Sequence, residues 1–341
     1  MNAIICPEPF KMHVGTWATP RASAGDVVVE VAAAGICAGD QYIYTGKNPY
    51  VLFPNIAGHE IGGRIHEVGE GVTHLCVGQP VAVEPFIGCG HCYACSVGKT
   101  NCCRNLTIIG VQRPGGYADY VLAPATHIHV VPDDMPLWKA SMAEPITIAI
   151  HACERGAVTA ADTVLVMGCG PIGLNIIEVA RERGATVYAA DINPARLAIA
   201  EALGATPLLA DEALPGKVME ITRGDGMPVI IEAAGVAAVM EQAVDLVAAG
   251  GRVVIVGLVK KGVNLSLPGL DFTRKELTIH GSRTEAGNFP EAIALLHSGK
   301  LRFTDMATHL DLWQAPDTFA GLARQPDLYV KGILLNERVK D

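Results

Sequence analysis

Four cysteines, Cys89, Cys92, Cys95 and Cys103, crowd into GCGHCYACSVGKTNCC with the spacing C-x2-C-x2-C-x7-C. Four soft sulfur donors in one polar loop suit a closed, tetrahedral zinc centre. Such a centre has no open coordination position, so it cross-links a lobe too poor in apolar residues to fold by burial rather than catalysing a reaction. His91 and Cys102 compete as donors from within the same segment. Clustering points to metal binding rather than disulfides, and the scattered Cys6, Cys76, Cys153 and Cys169 are expected to be small buried apolar groups.

A second set of donors is dispersed: Cys37 in GICAGD, His59 and Glu60 in AGHEIGG, and Glu144 in AEP. No local spacing connects them. Singly, His59 reads as a hydrogen-bonded structural histidine and Glu144 as a helix N-terminal charge beside Pro145. Together they offer a mixed sulfur, nitrogen and oxygen set for a catalytic divalent metal, the Lewis acid that hydride transfer often needs.

The third constellation is Gly168-Cys-Gly-Pro-Ile-Gly173, directly after the strand-like TVLVM and opening a helix that is expected to stop at Gly184. Gly168 permits a tight turn, Gly170 lets backbone approach a pyrophosphate, and Gly173 lets helix pack on strand, while Pro171 and Ile172 begin a helix whose N-terminus offers donors to phosphate. The next strand-like run, TVYAA, ends in Asp191, which is placed to accept from both ribose hydroxyls and to repel a 2′-phosphate, favouring NAD. The structural alternative is that Asp191 caps the turn DINPARL. Arg196 lies in the same region and keeps NADP open.

The elements that position these groups differ along the chain. From Val27 to Val131, short β-branched runs such as VVVEV and QPVAVEPF alternate with Gly and Pro, predicting an all-β region. From Glu144 the texture becomes Ala-rich and helical, and from Thr163 helices alternate with VLVM, TVYAA, VIIEAA and RVVIVGL, predicting an α/β doubly wound parallel sheet. The terminal LYVKGILL reads as a strand that returns to complete the first domain. A chain of 341 residues exceeds the size at which one core stops growing easily, so two domains are expected. Net charge is −9, with no basic run, which argues against nucleic acid as a principal partner. No apolar window approaches the roughly 18 residues of a membrane span and the N-terminus lacks a signal-peptide pattern, so a soluble, cytoplasmic protein is expected.

In order, GICAGD, GHE, the four-cysteine lobe, AEP-x4-IHAC and GCGPIG resemble the zinc-containing medium-chain dehydrogenases over essentially the whole chain. Glu144, standing where typical alcohol dehydrogenases place a second ligand cysteine, makes the chain similar to the polyol and sugar-acid branch, of the sorbitol and L-threonine dehydrogenase kind. GKTNCC, IIGVQRPGGYADYV and RKELTIHGSR resemble bacterial dehydrogenases of hexonates such as L-galactonate and L-gulonate. The resemblance implies a discontinuous GroES-like β-barrel catalytic domain, residues 1–145 and 285–341, and a Rossmann NAD-binding domain, residues 146–284, with the active site in the cleft between them. It implies zinc on Cys37, His59 and Glu144, with Glu60 a fourth ligand or linked through water, and it selects Cys103 over Cys102 in the structural site. Zinc in that setting lowers the pKa of the substrate hydroxyl, and hydride then passes from carbon to nicotinamide.

One position departs from the family. Relatives carry Ser or Thr two residues after the ligand cysteine, where its hydroxyl relays a proton; here the residue is Gly39. A water, Tyr42 or Tyr44, or Glu60 moving on and off the metal are the substitutes, and Asp40 is assigned to local structure. Substrate contacts are sought among Arg113, His151, Lys261, Arg283 and Glu285, with Arg283 a partner for a carboxylate. The resemblance also implies a homo-oligomer, dimer or tetramer, in which RVVIVGL and VNLSL pair across a two-fold axis at the sheet edge. The expected activity is NAD-linked oxidation of a secondary alcohol of a sugar acid or polyol to a ketone. L-threonine 3-dehydrogenase chemistry, a simple alcohol dehydrogenase, and a non-catalytic NAD- and zinc-binding protein are the rivals.

Overall fold

A computed structural model describes residues 1–339; the last two residues of the expected 285–341 segment lie outside the described residues. The chain divides into two compact units. The first comprises Met1–Pro145, Ala286–Gly299 and the chain from Thr304 onward; the second comprises Ile146–Glu285 and Lys300–Phe303.

The first unit is built around strand Asp26–Gly35, whose DVVVEVAAAG carries small and β-branched side chains that are nearly all buried. It pairs antiparallel with Glu60–Val68, Tyr120–Pro124 and Gly332–Leu335. The last of these pairings brings Gly332–Leu335 onto the first unit's main sheet. Beyond Glu60–Val68 the sheet continues through Pro80–Val83 to Ile128–Val130. Its core holds Val27, Val29, Ile61, Ile65, Val81, Val83, Tyr117 and Phe319.

The second unit carries a six-stranded parallel sheet in the order Thr206–Leu209, Thr186–Asp191, Thr163–Met167, Met227–Glu232, Val247–Ile255, Thr278–Gly281. Val164, Leu165 and Val166 are fully buried, as a strand covered on both faces by helices requires. The order reverses between Thr163–Met167 and Met227–Glu232, and ligands of such sheets bind outside the carboxyl ends at that switch. Lys300–Phe303 joins this unit because Glu178, buried in helix Pro171–Glu182, accepts from the backbone N–H of Arg302 at 2.8 Å and Phe303 at 3.0 Å.

Three expectations need correction. Val247–Ile255, which contains most of RVVIVGL, is not the sheet edge, because Thr278–Gly281 pairs along it in parallel and takes that place. VNLSL forms no strand, lying in an exposed connection. Cys76 is exposed, whereas Cys6, Cys153 and Cys169 are buried as expected; burial pushes the Cys6 thiol up to about 11 and that of Cys169 to about 12. No helix among the described residues is long and apolar enough to cross a membrane.

Candidate metal centres and dinucleotide site

The dispersed donors of the first unit converge through two elements. Cys37 is the N-cap of helix Ala38–Tyr44, and its sulfur accepts from Gly39 N–H at 3.4 Å, at the helix end that favours negative charge. Glu60 opens strand Glu60–Val68, with His59 just before it. Ligand atoms of Cys37, His59 and Glu60 all lie within 4.8 Å of one another. His59 is 9 % exposed and Glu60 2 %. Glu144 is equally buried, in the first turn of helix Ala143–Arg155, but its carboxylate is not in that close group.

Asp40, fully buried, organises the cluster. Its Oδ2 accepts from Cys37 N–H at 2.9 Å and from the Tyr117 hydroxyl at 2.9 Å, while Oδ1 accepts from Gly58 N–H at 3.2 Å and stands 3.4 Å from His59 Nδ1. Burial alone would raise the Asp40 pKa, but His59, the Cys37 amide and Tyr117 outweigh it and hold the carboxyl below its usual range. Burial likewise opposes charge on His59, and Asp40 and Cys37 overcome it, lifting that pKa well above the usual histidine value. With Nδ1 turned to a carboxylate, Nε2 is the nitrogen left for a metal, the arrangement that fixes ring orientation in histidine sites.

Lys331 escaped the sequence reading. It is 3 % exposed, and its Nζ is ion-paired with Glu60 Oε2 and donates to the Ile36 carbonyl at 3.1 Å. Burial works against its charge, but Glu60, Cys37 and, more weakly, Glu144 hold its pKa above the ordinary lysine value. A Cβ on Gly39 would sit 3.6 Å from His59 Cε1 and 3.8 Å from Cys37 Sγ, so the space a serine would fill borders both donors. Tyr44 is no relay candidate: it is packed in the core between Phe10 and Phe319. Tyr42 is exposed.

In the cysteine lobe, Cys92 Sγ lies 3.6 Å from Cys95 Sγ and 3.8 Å from Cys103 Sγ. Sulfurs at the corners of a tetrahedron with Zn–S distances of about 2.3 Å stand about 3.8 Å apart, so these residues fit the ion. Ligand atoms of Cys89, Cys92, Cys95 and Cys103 form one group, while Cys102 is exposed outside it. Cys103 Sγ also accepts from the N–H of Cys89 at 3.2 Å and of Asn105 at 3.3 Å. The amides of Cys95 and Arg104 draw the Cys92 thiol down to about 6, while burial and the neighbouring thiols push Cys95 up to about 11. His91 turns away to the Cys89 carbonyl at 2.7 Å.

In the second unit the glycine loop follows Thr163–Met167 and leads into Pro171–Glu182, with Gly170 as N-cap, Pro171 in the first turn and no side chain capping the helix. Gly168 has φ +101°, and a Cβ there would lie 2.7 Å from Ala234 N. A Cβ on Gly173 would overlap the Gly168 carbonyl, whereas one on Gly170 would meet nothing within 4 Å. The loop is thus closed against its own backbone at Gly173 and open at Gly170, as a pyrophosphate cradle requires. Asp191 accepts from Cys169 N–H at 2.7 Å and from Asn193 N–H at 2.8 Å. The turn-capping geometry is therefore present, and it also locks the carboxylate against the glycine loop. Arg196 is half-buried nearby. Buried Glu232, unremarked in the sequence, braces the adjoining loop by accepting from Ala234 N–H at 2.9 Å and Gly235 N–H at 2.7 Å. Of the substrate candidates, Arg113 belongs to the first unit and His151, Lys261, Arg283 and Glu285 to the second; Lys261 and Arg283 are exposed and Glu285 is buried.

Comparison with known proteins gives matches across the chain. Residues 23–133 match the alcohol dehydrogenase GroES-like domain and residues 171–298 the zinc-binding dehydrogenase family. The starvation-sensing protein RspB of Escherichia coli K12 is 37% identical over 91% of this chain and 91% of its own. L-galactonate-5-dehydrogenase of the same strain is 34% identical, again over 91% of both. The crystal structure of an alcohol dehydrogenase (rspB) from Escherichia coli CFT073 complexed with NADH superposes with a TM-score of 0.92 at 35% identity, covering 98% of this chain and 99% of that one.

Proposed function

Because this chain belongs to the zinc-containing medium-chain dehydrogenases, in their polyol dehydrogenase branch, and is an NAD-linked oxidoreductase, we propose that it oxidises a secondary alcohol of a sugar acid or polyol to the ketone. The observation that carries this reading is the convergence of Cys37, His59 and Glu60 on one buried point. Cys37, His59 and Glu144 are assigned as ligands of the catalytic zinc, with Glu60 a fourth ligand or linked through water. Cys89, Cys92, Cys95 and Cys103 hold the structural ion. Bound at the first site, zinc supplies Lewis acidity that lowers the pKa of the substrate hydroxyl.

The chain's own residues do the rest. Asp40 fixes the His59 ring, and the space beside Gly39 admits a water that takes the hydroxyl proton to solvent. The substrate C–H bond breaks with its electron pair, which passes as hydride to NAD, giving ketone, NADH and a proton. The Gly168–Gly173 loop and the helix N-terminus take the pyrophosphate, and Asp191 takes the ribose hydroxyls, with Arg196 beside it. Glu144 in place of a ligand cysteine and the likeness to L-galactonate-5-dehydrogenase support the sugar-acid substrate. A reducing compartment, the cytoplasm, suits a chain whose cysteines form no disulfide among the described residues. Homo-oligomerisation is assigned to the edge strand Thr278–Gly281 and to the exposed Leu258, Val263 and Leu265 of the connection that precedes it in the chain.

The test is NADH formation by zinc-replete protein on matched panels of hexonates, pentitols, hexitols, L-threonine and simple alcohols. Selective turnover of hexonates or polyols is expected. Selective turnover of L-threonine or simple alcohols would replace the substrate assignment.

A further inference from the structure

Three strand-end connections of the second unit are knotted around one buried carboxylate. Glu232 ends strand Met227–Glu232 and lies in register between Met167 and Ile255 of the neighbouring strands. Its Oε1 accepts from the N–H groups of Ala234 and Gly235, its backbone carbonyl accepts from Val256 N–H at 2.9 Å and Gly257 N–H at 3.2 Å, and Ala233 N–H donates to the Met167 carbonyl at 2.8 Å. A Cβ on Gly257 would overlap Gly235 N and lie 2.7 Å from Glu232 Oε2, and one on Gly168 would lie 2.7 Å from Ala234 N. Glycines thus let all three connections close on the acid. Glu232 is fully buried, has no ion-pair partner among the described residues, and its Oε2 has no hydrogen-bond partner.

A buried charge is normally paired, and a buried polar atom without a partner calls for a reason. Burial raises the Glu232 pKa and the amides of Gly235 and Ala234 oppose the rise, so a positive charge brought near the carboxyl favours its ionised form. The position of the residue says where such a charge comes from. Glu232 stands at the reversal of strand order, and the two halves of a dinucleotide lie to either side of that switch. With Asp191 on the adenosine ribose, the nicotinamide half falls on the Met227–Glu232 side. We infer that the Glu232 carboxylate selects the redox state of the cofactor, favouring NAD+, whose nicotinamide ring carries a positive charge, over NADH, whose ring is neutral. The inference rests on the dinucleotide assignment proposed above. Hydride arriving at the ring removes the counter-charge of Glu232, so the site holds the reduced cofactor less tightly than the oxidised one it took up.

Calorimetric binding of NAD+, NADH and ADP-ribose to the full-length, zinc-replete protein tests this. In Glu232→Gln the side-chain carbonyl can still accept from Ala234 and Gly235, but the charge is gone. Affinity for NAD+ is expected to fall about fivefold or more, while that for NADH, and for ADP-ribose, which lacks the nicotinamide, changes by less than about twofold. Glu232→Asp keeps the charge and shortens the brace; it is expected to hold the ratio of NAD+ to NADH affinity within about twofold of wild type, and it carries the test if Glu232→Gln does not fold. Unchanged NAD+ affinity or equal losses for all three ligands in Glu232→Gln would overturn the inference, as would a selective loss of NAD+ binding in Glu232→Asp. Wild-type protein that binds none of the three would instead refute the dinucleotide assignment itself.

Discussion

Single residues at the candidate metal site act by holding other groups in place. Asp40 touches the Cys37 amide, Gly58 amide, Tyr117 hydroxyl and His59 ring at once. Removing the charge of such a partner typically costs about 10–100-fold in metal affinity or activity. Asp40→Asn should therefore release zinc from the Cys37 site with a loss in that range, measured by competition with a chromophoric chelator, while the cysteine lobe keeps its ion. Unchanged affinity would mean the carboxylate does not position His59. Asp191 provides a second residue-scale test. Hydrogen bonds to a charged group are worth about 1.5–3 kcal/mol, so Asp191→Ala should raise KM for NAD by roughly 10–100-fold and improve the relative use of NADP, because the group that repels a 2′-phosphate is gone. Equal losses with both cofactors would point instead to collapse of the loop that Asp191 braces through Cys169.

At the scale of elements, local signals were legible and distant ones were not. The glycine loop and the cysteine lobe are read from neighbours in sequence, because strand, turn and helix or four sulfurs follow directly. Lys331 and Glu60 are separated by 271 positions, and only the return of Gly332–Leu335 to Asp26–Gly35 brings them together. Nearness in sequence makes Tyr44 a relay candidate, but its side chain packs between Phe10 and Phe319. The sheet edge was misplaced because LTIHGS reads as a strand without saying which neighbour it pairs. Two predictions belong here. Cys103→Ser should lower the thermal midpoint and release one zinc per chain, whereas Cys102→Ser, outside the sulfur group, should leave both unchanged; melting and metal content read the contrast. In the second unit, Asp162 pairs with Arg252 at 2.8 Å and accepts from Thr159 N–H, contacts that outweigh burial and hold its pKa below the usual value. A depressed carboxylate contributes stability above its unfolded pKa of about 3.9 and loses it as pH falls through the lower folded value. The stability gap between wild type and Asp162→Asn should be full at neutral pH and close only in that acid window, as followed by denaturant unfolding.

In the whole molecule, strand Thr278–Gly281 takes one edge of the parallel sheet among the described residues, and Leu258, just beyond its partner strand Val247–Ile255, is 91% exposed. An unpaired edge beside exposed apolar side chains is a template for pairing with another copy. Sedimentation should give a mass of at least two chains, and hydrogen exchange at residues 278–281 should speed up on dilution to monomer. A monomer at all concentrations would remove this assignment. In the proposed reaction the donors at Cys37, His59 and Glu60 and the Gly168–Gly173 loop serve one step, the passage of a hydride from a CHOH carbon to NAD. The measurement that bears on it most directly uses the best hexonate or polyol substrate deuterated at the oxidised carbon, with the reduced cofactor analysed by mass spectrometry. Deuterium recovered in the nicotinamide, formed only by zinc-loaded protein and lost in Cys37→Ser, is the predicted result. Reduced cofactor without deuterium, or equal turnover after removal of the Cys37-site metal, would contradict the account.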